Sequence, residues 1–216
     1  MKKIRNLYVL MLIIICAACD DPYKGDTFVV YDIQPASTYL SSRPEDFSKW
    51  VEIMKYADLY NAINQATEYF TLFVPNNKAV EEFYQKKGVS SIEELGKEYA
   101  RNLIGYHVIQ DTIDQQTFIE TEGELEKKTI SEDYLSVSYG TGEGTGGLQS
   151  LYLNKEAHVI ELANVVSNGY VYVLEDVLTP LTESVYERLS EKSEYNLFKT
   201  ALDATGLATR INTKSE

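Results

Sequence analysis

The sequence predicts an α+β fold in which N-terminal helices pack against a β-sandwich or wedge, with a helical extension at the C-terminus. Apolar residues from Phe47 to Ile63 recur mainly at helical spacing, which indicates an amphipathic helix from about Arg43 to Leu59 and a further turn. From Phe70 onward, short alternating runs end at turn residues, which is typical of strands. Helices first and then a run of antiparallel strands make the pattern α+β.

A strand that stops at a proline and turns directly into a helix is predicted over Phe70–Val80, and we expect the other elements to pack against this corner. Aromatic and β-branched residues, among them Phe73, dominate the strand. Pro75 cannot donate a backbone hydrogen bond to a sheet, so it ends the strand. Asn76 or Asn77 can then cap the helix by accepting a hydrogen bond from a free N–H in its first turn.

The strongest hairpin signal in the chain is Asn168-Gly169, which is flanked by extended segments on both sides. We expect a type I′ turn there, because both central residues of such a turn need a positive φ and these two residue types adopt it readily. The strand after this turn ends a few residues before Pro180, which closes the predicted domain.

The composition narrows the possible functions. The chain has 216 residues and a formal net charge of −13, which argues against a nucleic-acid partner and against a basic membrane-binding face. Two histidines and two cysteines are too few for an evident zinc site, and we expect no metal and no cofactor. No serine or cysteine lies in a recognisable nucleophile elbow, so the sequence predicts no enzymatic activity.

The first residues form a targeting segment with a positive start, a short apolar run and the ending Ala17-Ala18-Cys19. This ending resembles the lipobox of bacterial lipoproteins, in which the cysteine is lipidated. We therefore expect a lipoprotein signal peptide over residues 1–18, acyl chains such as palmitate on Cys19, and a polar tether over residues 19–34. An ordinary secretory signal cleaved near Ala18 is the alternative.

Acidic residues follow the predicted lipidation site at Asp20 and Asp21. In some Gram-negative lipoproteins such residues resemble a surface-export signal, and in others they resemble an inner-membrane retention signal. The sequence does not choose between these signals, and we favour the outer membrane with exposure at the cell surface. The membrane is then a partner through the lipid anchor alone.

Three motifs resemble those of fasciclin domains. Phe70–Val80 is similar to the first signature box, Tyr106-His107 to the central Tyr-His pair, and Asn164–Pro180 to the second box. They follow one another in the family's order and spacing. The resemblance implies a fasciclin-like fold over residues 35–180 and a cell-adhesion or binding role.

The chain departs from the family pattern at four positions. Asn77 replaces an acidic residue, Val80 an aromatic residue, Asn164 an aspartate and Tyr172 a histidine. The resemblance therefore implies no polar contact through these side chains.

The C-terminal part repeats the first helices at a constant offset, since Tyr195 lies 148 residues after Phe47 (195 − 47 = 148). At the same offset, Phe198, Ala201, Leu202 and Leu207 follow Trp50, Ile53, Met54 and Leu59. The offset is about one fasciclin-domain length. Residues 181–216 are therefore predicted to be the start of a second, incomplete fasciclin domain or a helical appendage packed on the first.

Tyr106 and His107 are the candidate binding residues. In animal fasciclin proteins a Tyr-His region is implicated in integrin binding, and the resemblance carries that role to this pair. The apolar setting of His107 also fits a hydrogen-bonded core histidine.

These observations favour a lipid-anchored protein of the cell envelope that binds extracellular protein or glycan, or a neighbouring outer-membrane complex, without catalysis. The alternative is an accessory subunit of an outer-membrane glycan-uptake system that binds saccharide through some of its 17 tyrosines.

Overall fold

The structure is a computed structural model that describes residues 33–121, 123–140, 147–180, 184–191 and 193–212. The predicted signal peptide, the predicted lipidation site Cys19 and nearly all of the predicted tether lie outside the described residues. Within the described ranges, no helix is both long enough and apolar enough to cross a bilayer.

The predicted amphipathic helix and the turn after it form, and a short helix that was not predicted precedes them. Helices α1 (Ala36–Ser41), α2 (Pro44–Tyr56) and α3 (Tyr60–Ile63) follow one another with short connections. Pro44 occupies the first turn of α2, where its missing N–H removes no helical hydrogen bond. Helix α2 buries Phe47, Trp50, Ile53 and Met54 on one face, which is the apolar stripe that the spacing indicates.

The predicted strand-to-helix corner is confirmed. Strand β1 (Phe70–Pro75) is fully buried and is followed by helix α4 (Asn77–Lys87). The Asn76 side chain caps α4 by accepting a hydrogen bond from the Ala79 N–H at 2.9 Å. The sequence therefore encodes this corner locally, through a proline that ends the strand and an asparagine that begins the helix.

The remaining elements follow the corner. Helix α5 (Lys97–Tyr106) leads into strand β2 (Val108–Ile109), and helix α6 (Gln115–Glu120) follows. The later strands are β3 (Gly123–Glu124), β4 (Ser136–Tyr139), β5 (Leu151–Leu153), β6 (Ala157–Val166) and β7 (Gly169–Leu174). Helices α7 (Val185–Glu191), α8 (Asn196–Thr205) and α9 (Ala208–Ile211) end the described chain.

In the described part of the chain, seven strands form one curled sheet in the order β2-β1-β7-β6-β5-β4-β3. Strand β1 lies parallel to β7, with Phe70 opposite Gly169 and Pro75 opposite Leu174. The run of short alternating segments predicts antiparallel strands, so this central parallel pair is a correction. Register shifts in β6 between Val159 and Asn164 bend the strand, which links the two parts of the sheet into a wedge.

Side chains of β1 and β7 alternate between the two faces of the sheet. Phe70, Leu72 and Val74 pack with α2, α4 and α5 in one buried cluster. Phe73 and Tyr172 belong to another buried cluster, with residues of α6 and of strands β4 to β6. The sheet therefore has a helix-covered core on one face and a core closed by its own curvature on the other.

The hairpin between β6 and β7 forms, but the predicted type I′ turn at Asn168-Gly169 is wrong. The loop residues are Ser167 and Asn168, because Val166 already pairs with Gly169. Asn168 does not have the positive φ that a type I′ turn requires.

Tertiary contacts explain this difference, because the Asn168 side chain binds backbone groups far away in the sequence. Its Oδ1 accepts from the Ala36 N–H at 2.8 Å, and its Nδ2 donates to the Ile63 carbonyl at 2.7 Å and to the Gln65 carbonyl at 3.1 Å. Positive φ at two consecutive turn residues occurs instead at Asn154 (53°) and Lys155 (60°), between β5 and β6.

Candidate functional site

His107 lies at the end of α5 with 1% of its surface exposed, and both of its ring nitrogens are hydrogen-bonded. Nδ1 lies 2.8 Å from the Leu103 carbonyl, and the Leu178 N–H donates to Nε2 at 3.0 Å. A backbone N–H can only donate, so Nε2 accepts and the proton resides on Nδ1. His107 thereby joins α5 to the segment that follows β7.

Burial makes this histidine electrically neutral at physiological pH. Loss of hydration lowers the pKa of His107 to about 4, against the smaller opposing effect of the hydrogen bond to the Leu103 carbonyl. The Trp50 ring lies 4.7 Å from the imidazole, centroid to centroid, and helps to seal it. A sealed imidazole with both nitrogens engaged is suited to holding backbone segments together and has no free position for a substrate proton.

Tyr106 holds a different segment. It is 6% exposed, and its hydroxyl oxygen accepts a hydrogen bond from Asn154 Nδ2 at 2.8 Å. Asn154 is the first residue of the tight turn between β5 and β6, and its Oδ1 also accepts from the Ser136 N–H at 2.9 Å. Burial raises the pKa of the Tyr106 hydroxyl, so it stays protonated and able to donate as well as accept.

The segments that these two side chains hold belong to one wall of a groove. One wall is α4, through Phe83, Lys86 and Lys87, and the facing wall includes Glu156 of the β5–β6 turn and residues 176–179. The volume of the groove is about 550 Å³. Tyr106 and His107 therefore lie behind the groove and brace the wall that faces α4, and their buried side chains do not line it. The prediction that this pair takes part in binding stays a prediction.

The groove combines an apolar floor with charges of both signs. Ala79, Phe83 and Val177 are buried at its base, and Lys86 reaches across it to Asp176 at 3.3 Å. Lys87 lies 5.7 Å above the Tyr99 ring, whose buried hydroxyl has no hydrogen-bond partner among the described residues. Such a surface can bind a polar ligand through hydrogen bonds and an apolar ligand group through its floor.

The described residues contain no group of three or more His, Cys, Asp or Glu side chains placed to hold a metal ion. The ionisable side chains that line the groove are Lys86, Lys87, Glu156 and Asp176, and His107 is sealed behind it. The site can recognise a partner with these groups.

Comparison with known families decides the assignment. The sequence profile of the fasciclin domain matches residues 45–180, more than half of the chain. The chain belongs to the fasciclin-domain family. Fasciclin domains are generally associated with adhesion or binding and not with catalysis.

A solved structure similar to this fasciclin domain is a FAS1 domain pair from the insect cell adhesion molecule fasciclin I. The sequence identity is 15% and the TM-score is 0.40. The alignment covers 83% of this chain and 57% of the insect chain, so this chain spans little more than half of that structure. No curated protein shows significant sequence similarity to the chain.

Three of the four departures from the fasciclin pattern make polar contacts of their own. Asn77 accepts from the Lys49 N–H at 2.9 Å and donates to the Glu45 carbonyl at 2.9 Å, which fastens α4 to α2. The Tyr172 hydroxyl donates to the Ile113 carbonyl at 2.8 Å inside the core. Asn164 donates to the Val171 carbonyl at 3.2 Å across the β6–β7 pair. These substituted side chains are therefore structural parts of the domain.

The residues predicted to be structural occupy defined places in the fasciclin domain. Phe73 is fully buried and lies 5.7 Å from the Tyr172 ring, Pro75 ends β1, and Pro180 is buried after the groove wall. Gly169 has a φ of 133°, and a Cβ there would lie 1.8 Å from the Phe70 carbonyl oxygen. Only glycine fits where β1 and β7 approach so closely.

Proposed function

We propose that this fasciclin-domain protein is a non-enzymatic adhesion or binding protein of the cell envelope that contacts extracellular protein or glycan through the groove beside α4. The observation that carries the proposal is the bracing of the groove wall that faces α4 by the family's Tyr-His pair. Tyr106 fixes the β5–β6 turn through Asn154, and His107 fixes the other segment of this wall, after β7, through Leu178.

A braced groove favours binding because its shape exists before the partner arrives. Ordering a mobile loop on association costs free energy, and walls that are already hydrogen-bonded to the core avoid that cost. The exposed ammonium of Lys86 and the carboxylate of Asp176 then supply charges that a polar partner can pair with. These groups suit recognition of a polypeptide or sugar surface.

The proposed location rests on the N-terminal sequence. A lipid anchor at Cys19 would hold the protein at the outer membrane, with the polar tether separating the domain from the lipid surface. Cys19→Ser should release the protein from the membrane fraction into the soluble fraction. Retention of the variant in membranes after a high-salt wash would contradict lipid anchoring.

A second candidate is the accessory saccharide-binding subunit of an outer-membrane glycan-uptake system. Two exposed tyrosines favour it, Tyr69 at 60% and Tyr134 at 43% exposure, because aromatic rings stack on sugar faces. Binding to a glycan array that is lost in Tyr69→Ala or Tyr134→Ala would support this candidate. A blank array together with binding to protein-coated surfaces would support adhesion.

The groove itself is tested with charge reversals at the two ends of α4. Lys86→Glu places a negative charge beside Asp176 and should weaken binding of the lipid-free protein to its cell-surface target at least about tenfold. Lys78→Glu is the matched control, because Lys78 is similarly exposed on the same helix and does not line the groove. Equal binding by both variants would show that the groove is not the contact surface.

A further inference from the structure

The charged side chains of the groove have opposite signs on its opposite walls. Lys86 and Lys87 lie at the end of α4, where the helix dipole favours positive charge, and Glu156 and Asp176 belong to the facing wall. Lys86 and Asp176 lie 3.3 Å apart and balance each other. Two lining charges are left over, Lys87 on one wall and Glu156 on the other.

These two charges have no counter-ion in the part of the chain that the structure describes. Both side chains are exposed, and the ammonium of Lys87 contacts the Tyr99 ring at 5.7 Å. A partner that covers the groove removes water from both charges, and this costs free energy unless the partner supplies a charge of opposite sign to each. The groove therefore favours a partner that carries both a negative and a positive group.

The backbone on both sides holds these charges in place before a partner arrives. Glu156 follows the tight turn between β5 and β6, and its N–H donates to the Leu153 carbonyl at 3.0 Å. Lys87 is the last residue of α4, and the next residue, Gly88, donates to the Gln85 carbonyl at 3.1 Å. Because both charges stand on hydrogen-bonded backbone, the groove can select a partner by the spacing of its charges.

The floor between the two charges is apolar and offers no aromatic face. Phe83 is the aromatic residue among the described residues that line the groove, and at 4% exposure it cannot stack on a sugar ring. A neutral saccharide would also leave both wall charges unpaired. The volume of about 550 Å³ is within the range of about 300–1,000 Å³ for small-ligand sites, so the groove suits a short segment of a partner.

We infer that the groove binds a polypeptide segment that presents a basic and an acidic side chain on either side of an apolar one. The acidic side chain pairs with Lys87, the basic one pairs with Glu156, and the apolar one contacts the floor between them. The inference rests on the proposed function, because it names the class of partner for the same groove. Lys87 and Glu156 are then the residues that determine specificity.

The probe is a series of short synthetic peptides built around a leucine, with charged residues at several spacings on its two sides. In one set the two charged residues are a lysine and a glutamate. In the other sets both are lysine, both are glutamate, or both are replaced by glutamine. Isothermal titration calorimetry measures binding to the full mature chain carrying Cys19→Ser. We expect the best lysine–glutamate peptide to bind at least about tenfold more tightly than its glutamine counterpart, and less so at high salt.

Charge reversals on the two walls should exchange the preferred peptide. Lys87→Glu makes both leftover charges negative and should favour the peptides with two lysines, whereas Glu156→Lys should favour those with two glutamates. Lys78→Glu is the matched control, because it changes the net charge equally on the same helix but does not line the groove. It should keep the preference of the parent chain. Damage to the fold would weaken every peptide and would not exchange one preference for another.

The possible results separate the class of partner from the groove itself. No peptide binding, equal binding of all sets, or preferences unchanged by Lys87→Glu and Glu156→Lys would overturn the inference. The groove would still be the contact surface if Lys86→Glu weakened binding to the cell-surface target. Binding of maltoheptaose that Lys86→Glu abolishes would make a glycan the partner. Equal cell-surface binding by Lys86→Glu, Lys87→Glu and Lys78→Glu would refute the groove, and with it both proposals.

Discussion

Gly169 gives the sharpest test of how the sheet is closed. Its φ of 133° lies where side chains are rarely found, and an added Cβ would lie 1.8 Å from the carbonyl oxygen of Phe70 and 2.9 Å from its carbonyl carbon. These are backbone atoms of the adjacent parallel strand, so no side-chain rotation can relieve the overlap. Gly169→Ala must therefore push β1 and β7 apart at the start of their pairing.

The magnitude follows from two contributions. The unfavourable φ costs roughly 1–2 kcal/mol, and forced separation of packed groups costs roughly 1–3 kcal/mol more. Gly88→Ala isolates the first contribution, because Gly88 has a φ of 69° at the end of α4 and nothing lies within 4 Å of an added Cβ. We expect the free energy of unfolding to fall by about 2–5 kcal/mol in Gly169→Ala and by about 1–2 kcal/mol in Gly88→Ala.

Urea denaturation followed by far-UV circular dichroism measures both variants on the same scale. The m-value should stay constant if the native sheet is retained, so that the midpoints report stability alone. A Gly169→Ala variant as stable as Gly88→Ala would refute the close approach of β1 and β7 at this position.

Further predictions concern buried polar side chains. The pKa of His107 is about 4 in the folded chain and ordinarily 6.5, so the unfolded state binds the extra proton in this window. Stability should therefore fall by up to about 3 kcal/mol as the pH drops from 6.5 to 4, and urea titrations of His107→Gln should lack this part of the pH dependence. Asn168→Ala removes three hydrogen bonds to backbone groups and should lower the free energy of unfolding by about 3 kcal/mol; an unchanged melting temperature would contradict this role. Tyr106→Phe removes the bond to Asn154 and should lower stability by about 1 kcal/mol while speeding hydrogen exchange in the β5–β6 turn, and equal exchange rates would count against it.

Local chemistry accounts for the elements that the sequence predicts well. The strand that ends at Pro75 and the cap at Asn76 depend on neighbouring residues, and each is found at its predicted place. The apolar stripe of α2 depends on spacing alone and is also confirmed. The resemblance to fasciclin domains supplied the rest of the fold class, because its motifs fix distant elements in one order.

The errors occur where distant groups override local preference. Asn168-Gly169 has the composition of a type I′ turn, but the Asn168 side chain is held by α1 and by the end of α3, and this fixes a different turn. The parallel alignment of β1 with β7 has no local signal in the sequence, because the residue pattern of each strand is the same whether its neighbour is parallel or antiparallel.

The groove could not be predicted from the sequence for a related reason. Its walls come from α4, the β5–β6 turn and residues 176–179, which are distant along the chain and join only through the core. The Tyr106-His107 pair lies behind this region, yet other side chains line the groove. Lys87 and Glu156 carry no motif, so the structure was needed to bring them together.

The parallel pair in the middle of the sheet also determines when the molecule can fold. Phe70 and Gly169 pair across about a hundred residues, and β1 lies between β2 and β7 in the finished sheet. During synthesis, β1 is made long before its partner β7. Until β7 is made, the apolar side chains of β1 have no complete core to pack into. Contacts of such long sequence separation make folding slow. The domain is thus completed by its last strand, and a chain interrupted before residue 174 leaves β1, which is buried along its whole length in the folded domain, open to aggregation.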